Sequence, residues 1–226
     1  MFRDAALVAG KDLRVEARSR VSLNQVAPFA LLMLLLFAFA LDPDRGVLTR
    51  ATPGLFWVAV LFCALLAIQR SFAMEASDGN RDSLRLAGLE PGGIFLGKAA
   101  AVGVVLLALE VVLALGVAIL YSATSGADAL GWVLMAVTCV SATAGIAAAG
   151  TLYGVLASGL RVRDTLLPLL LLPVLAPVLI GSTRAFEAAL SSANGDGWPW
   201  LGLLTVFAVI YIAAGVFAFG PLLEES

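Results

Sequence analysis

The chain has 226 residues, 61% hydrophobic and 13% charged, with a formal net charge of −2 and a mean hydropathy of +1.00. A soluble domain of this size has too little interior for that much apolar side chain, and no basic concentration suits nucleic acid. With no histidine at all, Ser-His and Cys-His nucleophile pairs, zincin motifs, rhomboid-type proteolysis and His-ligated haem are excluded.

Six apolar stretches run roughly over 26–41, 54–68, 99–120, 130–157, 166–181 and 201–223. Lipid is then the solvent, and the backbone must find its hydrogen bonds within each stretch. The prediction is an all-α membrane protein of six transmembrane helices, one permease domain over residues 1–226. A helix needs about 20 residues to cross roughly 30 Å of hydrocarbon. The first, second and fifth stretches fall short, and are expected to borrow flanking residues or to sit in thinned bilayer.

Residues 1–20 are predicted to form an interfacial helix. At helical spacing Arg3, Lys11, Arg14 and Arg18 gather on one face, and Phe2, Ala6, Ala9, Leu13 and Ala17 opposite, a pattern suited to anionic headgroups. Ala38-Phe39-Ala40 imitates a cleavage site, but the 25 residues before the first stretch are too many and too acidic for a signal n-region. Asp42-Pro43-Asp44-Arg45-Gly46 reads as a tight turn.

The polar link over 69–98 is the longest between stretches. A short helix is predicted inside it, capped by Asp82 or Ser83, with Leu84, Leu86 and Leu89 as apolar contacts and Gly88 to Pro91 as its end. Such a helix is a docking shape for a partner groove. The bland alternative is a solvated tether. In the third stretch Glu110 sits near the middle, where an ionised carboxylate costs about 2.5–3.5 kcal/mol on insertion scales. It should face the protein interior, a wet cavity or a second copy. Two roles stand equally open, a gate residue or a carboxyl hydrogen-bonded between helices.

The fourth stretch is rich in small residues and carries a GxxxG at Gly150 and Gly154, which lets helices approach closely. Cys63 and Cys139 fall inside spans and read as buried small hydrophobes. The fifth stretch holds Pro168, Pro173 and Pro177, predicting a kinked helix or two half-helices. An outer segment with Arg184 and Glu187 follows and could continue as a helix to Leu190. Ser191 to Trp200 is predicted as loop, with Asn194-Gly195-Asp196-Gly197 as turn and Trp198 and Trp200 at the interface.

The basic residues sort by side. The leader (Arg3, Lys11, Arg14, Arg18, Arg20) and two links (Arg70, Arg81, Arg85, Lys98; Arg161, Arg163) hold eleven, against Arg45, Arg50 and Arg184 opposite. Basic flanks stay cytoplasmic, so both termini are predicted inside. There is no GxxxxGK[ST] loop, so the chain is read as a non-enzyme without a P-loop ATP site of its own.

Several segments carry a family resemblance. Lys11 to Arg20 is similar to one family's start, Pro53-Gly54-Leu55-Phe56-Trp57-Val58-Ala59 to the opening of its second span, and Glu75, Asp78-Gly79, Leu84 to Leu89 and Gly97-Lys98 to its link. Most distinctive is Leu167 to Gly181 with its three prolines, followed by Arg184-Ala185 and Glu187-Ala188-Ala189. Together they resemble the membrane subunit of an ABC exporter of the ABC-2 group. Within that group the chain is similar to the cytochrome c maturation permease that forms the B component of the haem exporter. One departure is that Asn80-Arg81-Asp82 intervenes where that family usually runs Asp-Gly-Ser/Ala-Leu-Glu.

The resemblance implies a homodimer in the bacterial cytoplasmic membrane, bound to two copies of a cytosolic ABC ATPase. The ATPase would grip the link through Glu75, Asp78, Gly79, Arg81, Asp82, Leu84, Leu86 and Leu89, and also the leader helix with Lys11, Arg14 and Arg18. It further implies a haem-handling membrane subunit and a haem chaperone as partners. No cofactor is expected to bind directly: ATP and Mg belong to the ATPase, and haem is a cargo without a histidine ligand. The alternatives are an ABC-2 permease for a lipid, drug or glycan, a non-transporting membrane scaffold, and a secondary transporter in which Glu110 titrates with transport.

Overall fold

Backbone groups in lipid have only each other as hydrogen-bond partners, and the chain is helical almost throughout its described residues. The computed structural model describes residues 1–20, 22–41, 46–77, 89–121, 127–158 and 163–225. Helix α1 is Phe2–Ser19, a π-helical turn covers Ser22–Val26, and α2 is Ala27–Ala40. Then come α3 (Val47–Ser77), α4 (Pro91–Tyr121), α5 (Ala129–Ser158), α6 (Arg163–Leu190) and α7 (Asn194–Glu225). Among the described residues five helices are long and apolar enough to cross a membrane, with a sixth crossing if α1 and 24–40 count as one bent span. Each of the six apolar stretches thus falls on one helix, α2 to α7.

The second and fifth stretches borrow flanking residues as expected and lengthen to 47–77 and 163–190, whereas the first stays short at Ala27–Ala40. The predicted loop over 191–200 shrinks to three residues, and Asn194 to Gly197 opens α7 instead of forming a turn. Asp196 sits in that first turn, where the helix dipole favours an acid. Pro91 begins α4, a position that suits a residue without an N–H; the docking helix predicted before it lies outside the described residues.

Of the two readings of Pro168, Pro173 and Pro177, the undivided helix is the one found: all three lie inside one continuous helix. Each removes a single i→i−4 bond, and in a packed lipid setting the remaining turns have no water to fray into. Helix α6 ends beyond them on Ser192 at φ 57, with the Ala193 N–H donating to the Ala188 carbonyl at 3.0 Å. This is a Schellman-type close.

The core gathers round α5, which packs on α3, α4, α6 and α7. Its Ala142, Ile146, Ala147, Ala148 and Ala149 are all buried. The GxxxG is internal: the Gly150 and Gly154 positions are filled from α3 by Ile68 and Phe72. Helix α2 is held less broadly, partly by the Tyr121 hydroxyl of α4, which donates to the Leu34 carbonyl at 2.8 Å.

Candidate functional site

Helix α1 lies across the beginning of α4, and glycines make its seat. A Cβ at Gly93 would lie 2.8 Å from the Met1 carbonyl, and one at Gly97 would lie 2.6 Å from the Ala5 carbonyl and 2.7 Å from Val8. Val8 is buried there. Past Ser19, Arg20 takes a left-handed conformation (φ 49) and its N–H caps the Glu16 carbonyl, which lets the chain bend by 49° into 24–40.

The inward face of α1 is neither of the two faces the sequence suggested. Asp4, Ala5, Val8, Asp12 and Glu16 turn toward the bundle, while Arg3, Arg14, Arg18, Phe2, Leu7 and Val15 are exposed. Lys11 is half-buried beside Asp12, its Nζ 3.1 Å from the carboxylate. The acids meet bases from other helices. Arg70 near the end of α3 brings Nε to 3.4 Å from Glu16 and donates through Nη2 to Ser19 Oγ at 3.1 Å. Lys98, in the second turn of α4, is 3% exposed, with Nζ 3.9 Å from Asp12 and 5.0 Å from the centre of the Phe72 ring. Glu90 donates its backbone N–H to Asp4 at 3.3 Å. Its carboxylate lies 2.7 Å from the Met1 amino group, and that hydrogen bond raises the amino pKa above its ordinary value.

Within the 69–98 link, Arg70 precedes the segment 72–91, Glu90 lies at the far end of that segment and Lys98 follows it. Helix α1 therefore straps both roots of the link. Sequence reasoning placed Lys98 in the link and assigned no role to Asp12, Glu16 or Arg70. The signal for them was an i, i+4 acidic stripe in a basic leader. Of the predicted link contacts, Asp78, Gly79, Arg81, Asp82, Leu84 and Leu86 lie outside the described residues, as does the Glu75 side chain on α3. Leu89 is half-buried, just before α4.

Glu110 faces the interior of the bundle at 3% exposure and accepts a hydrogen bond from the Thr143 hydroxyl of α5. The carboxyl thus bridges two helices. Its other oxygen, Oε2, has no hydrogen-bond partner. Cys139 on α5 and Cys63 on α3 lie near enough to feel the carboxyl, and both are free thiols. Among the described residues no three His, Cys, Asp or Glu side chains come together as a metal site.

At the end of the bundle away from α1, Asp128 caps α5. Its Oδ1 accepts the Asn194 Nδ2–H at 2.8 Å and the Gly131 N–H at 2.7 Å, tying the start of α5 to the start of α7. The Asn194 hydrogen bond, followed by that from Gly131, holds the Asp128 carboxyl below its usual range. A depressed folded pKa gives stability that is present above the unfolded value, about 3.9, and is lost as pH falls through the folded value. The melting temperature of the detergent-solubilised protein should therefore drop as pH falls below about 4. Asp128→Ala should melt lower at neutral pH and show less of that acid dependence. Parallel melts across the pH range check both, and identical slopes would count against the cap.

At the same end a cleft of about 340 Å³ lies between α3 and α6. Gly54, Trp57 and Val58 line one side, and Arg184 and Glu187 the other, the last two paired at 2.8 Å. The outer segment predicted around Arg184 is thus the last part of α6. Behind the cleft Trp57 packs against Phe56 and Phe186, the three ring centroids lying 5.2–5.4 Å apart.

Comparison with known proteins draws on the whole chain. Heme exporter protein B of Paracoccus denitrificans is 30% identical over 208 residues, covering 92% of this chain and 93% of that one. The protein of the same name from Haemophilus influenzae is 28% identical over 208 residues, at 90% and 88% coverage. That from Pseudomonas aeruginosa is 28% identical over 220 residues, at 93% and 95%. The family described as CcmB protein matches residues 4–226, which takes in the strapped leader, the link, Glu110 and the proline-rich α6. This all-α, multi-pass membrane chain belongs to the CcmB protein family.

Proposed function

We propose that the chain is the membrane subunit of an ABC transporter, serving haem export or haem-chaperone release in c-type cytochrome maturation. The relatives' shared name, heme exporter protein B, supports the haem role. The observation that carries the coupling is the strap: α1 is ion-paired to both roots of the 72–91 segment, at Arg70 and at Lys98. A separate cytosolic ATPase, two copies per homodimer, grips the link through Glu75, Asp78, Gly79, Arg81, Asp82, Leu84, Leu86 and Leu89. Pulling on the link then moves α1, α3 and α4 together, because rigid helices transmit a displacement at their joined ends. The basic residues sorted by side support a link and two termini in the cytoplasm, with the bacterial inner membrane as the proposed location. Haem reaches a partner subunit and chaperone without a histidine ligand from this chain.

Affinity purification of the chain from its native membranes in mild detergent tests this. The expected result is a copurifying ABC ATPase at one copy per chain, lost on Asp78→Arg with Asp82→Arg, together with loss of haem-stained c-type cytochromes. A chain that purifies without an ATPase, with cytochrome staining untouched by those changes, would sink the proposal.

A further inference from the structure

We propose that the cleft between α3 and α6 is a binding site for a phospholipid headgroup of the phosphoethanolamine type. The site is independent of the haem reading and follows from the geometry of the cleft.

The site is open where a glycine leaves it open. A Cβ at Gly54 would meet only Thr183 Cγ2, at 4.0 Å, so any larger residue would project into the space. Trp57, 1% exposed, also lines it. The walls include Val58 and Ile180, which are 37% and 57% exposed and apolar. The cleft therefore faces sideways, toward acyl chains. Its volume, about 340 Å³, is at the small end of small-molecule sites. It suits a headgroup and glycerol, with the tails left in the bilayer.

Depth and charge select the headgroup. Arg184 and Glu187 lie in the last turns of α6, three and six residues beyond the apolar run that ends at 181, where a span passes from hydrocarbon to headgroups. Arg184 Nη1 is 2.8 Å from Glu187 Oε2, so a positive and a negative group line the same mouth. A simple anion meets the carboxylate and a simple cation meets the guanidinium, and each is opposed. A zwitterion satisfies both at once. The guanidinium fork takes two phosphate oxygens, and a primary ammonium donates to the carboxylate. A choline headgroup has no N–H to donate, and phosphatidylglycerol has no cation.

The test is native mass spectrometry of the purified full chain in detergent, titrated with phosphatidylethanolamine, phosphatidylcholine or phosphatidylglycerol. One phosphatidylethanolamine per chain is expected, bound at least about ten-fold tighter than the other two, the worth of one charge-assisted hydrogen bond. Glu187→Gln should erase that preference, Arg184→Gln should weaken all three lipids, and Gly54→Leu should block the site. The two exposed-residue variants carry the test if Gly54→Leu does not fold. Equal retention of phosphatidylglycerol by the wild type, or a preference that survives Glu187→Gln, would overturn the proposal. So would haemin that displaces the lipid from wild type but does not bind Gly54→Leu, because the cleft would then belong to haem.

Discussion

Gly97→Leu is expected to release α1 from the bundle while leaving the spans folded. The Cβ alone would lie 2.6 Å from the Ala5 backbone oxygen and 2.7 Å from Val8 Cβ. Backbone cannot swing aside as a side-chain tip can, so α1 as a whole must lift. It then loses the burial of Val8, roughly 1.5–3 kcal/mol, and separates Asp12 from Lys98 and Glu16 from Arg70. Hydrogen exchange over residues 2–19 should become fast while exchange in α4 and α5 stays slow. If the strap couples link to spans, c-type cytochrome assembly fails in the same variant although the protein is present in the membrane. Protection of α1 at the wild-type level would refute the seat.

The second large effect concerns the centre of the bundle. Gly150→Leu together with Gly154→Leu is expected to abolish recovery of monodisperse protein after detergent extraction. Side chains at these two positions would collide with Ile68 and Phe72, both buried in the interior of the bundle. Overpacking of this kind costs about 1–3 kcal/mol per site. Packing is also the main force between helices in lipid, so the loss has no hydrophobic compensation. Gly202→Leu is the control, since nothing lies within 4 Å of a Cβ there. Equal size-exclusion profiles for the double variant and the control would show that the α3–α5 contact is not close-packed.

These expectations rest on features the sequence revealed unequally. Apolar run length disclosed the six helices α2 to α7, because the bilayer makes hydropathy an almost direct readout of position. It misplaced their ends for the same reason. Apolarity marks the hydrocarbon slab, whereas α3, α6 and α7 continue into polar flanks. Turn chemistry misled at Asn194 to Gly197, where residues that stop a helix also start one. Proline count alone left a kinked helix and two half-helices both open, since each proline removes one bond from a helix with many.

Residues whose partners are distant in sequence were the least legible. Glu110 was marked as inward-facing by its cost in lipid, but Thr143 as its donor came only from the packing of α4 on α5. The acids of α1 had no visible meaning until Arg70 and Lys98, more than fifty residues away, were brought against them. Reading α1 as two faces missed the third, which is the one that packs. The link contacts from Asp78 to Leu86, and the Glu75 side chain, lie outside the described residues.

The orientation of α1 also redistributes charge. Its carboxylates are spent on internal cations, while Arg3, Arg14 and Arg18 point outward with Arg20 exposed beside them. A molecule whose formal total is −2 thus carries a row of exposed cations along the outer face of α1. An anion that approaches this face meets an attraction that fades over a Debye length, about 8 Å at physiological salt, and that the average charge of the chain does not foretell.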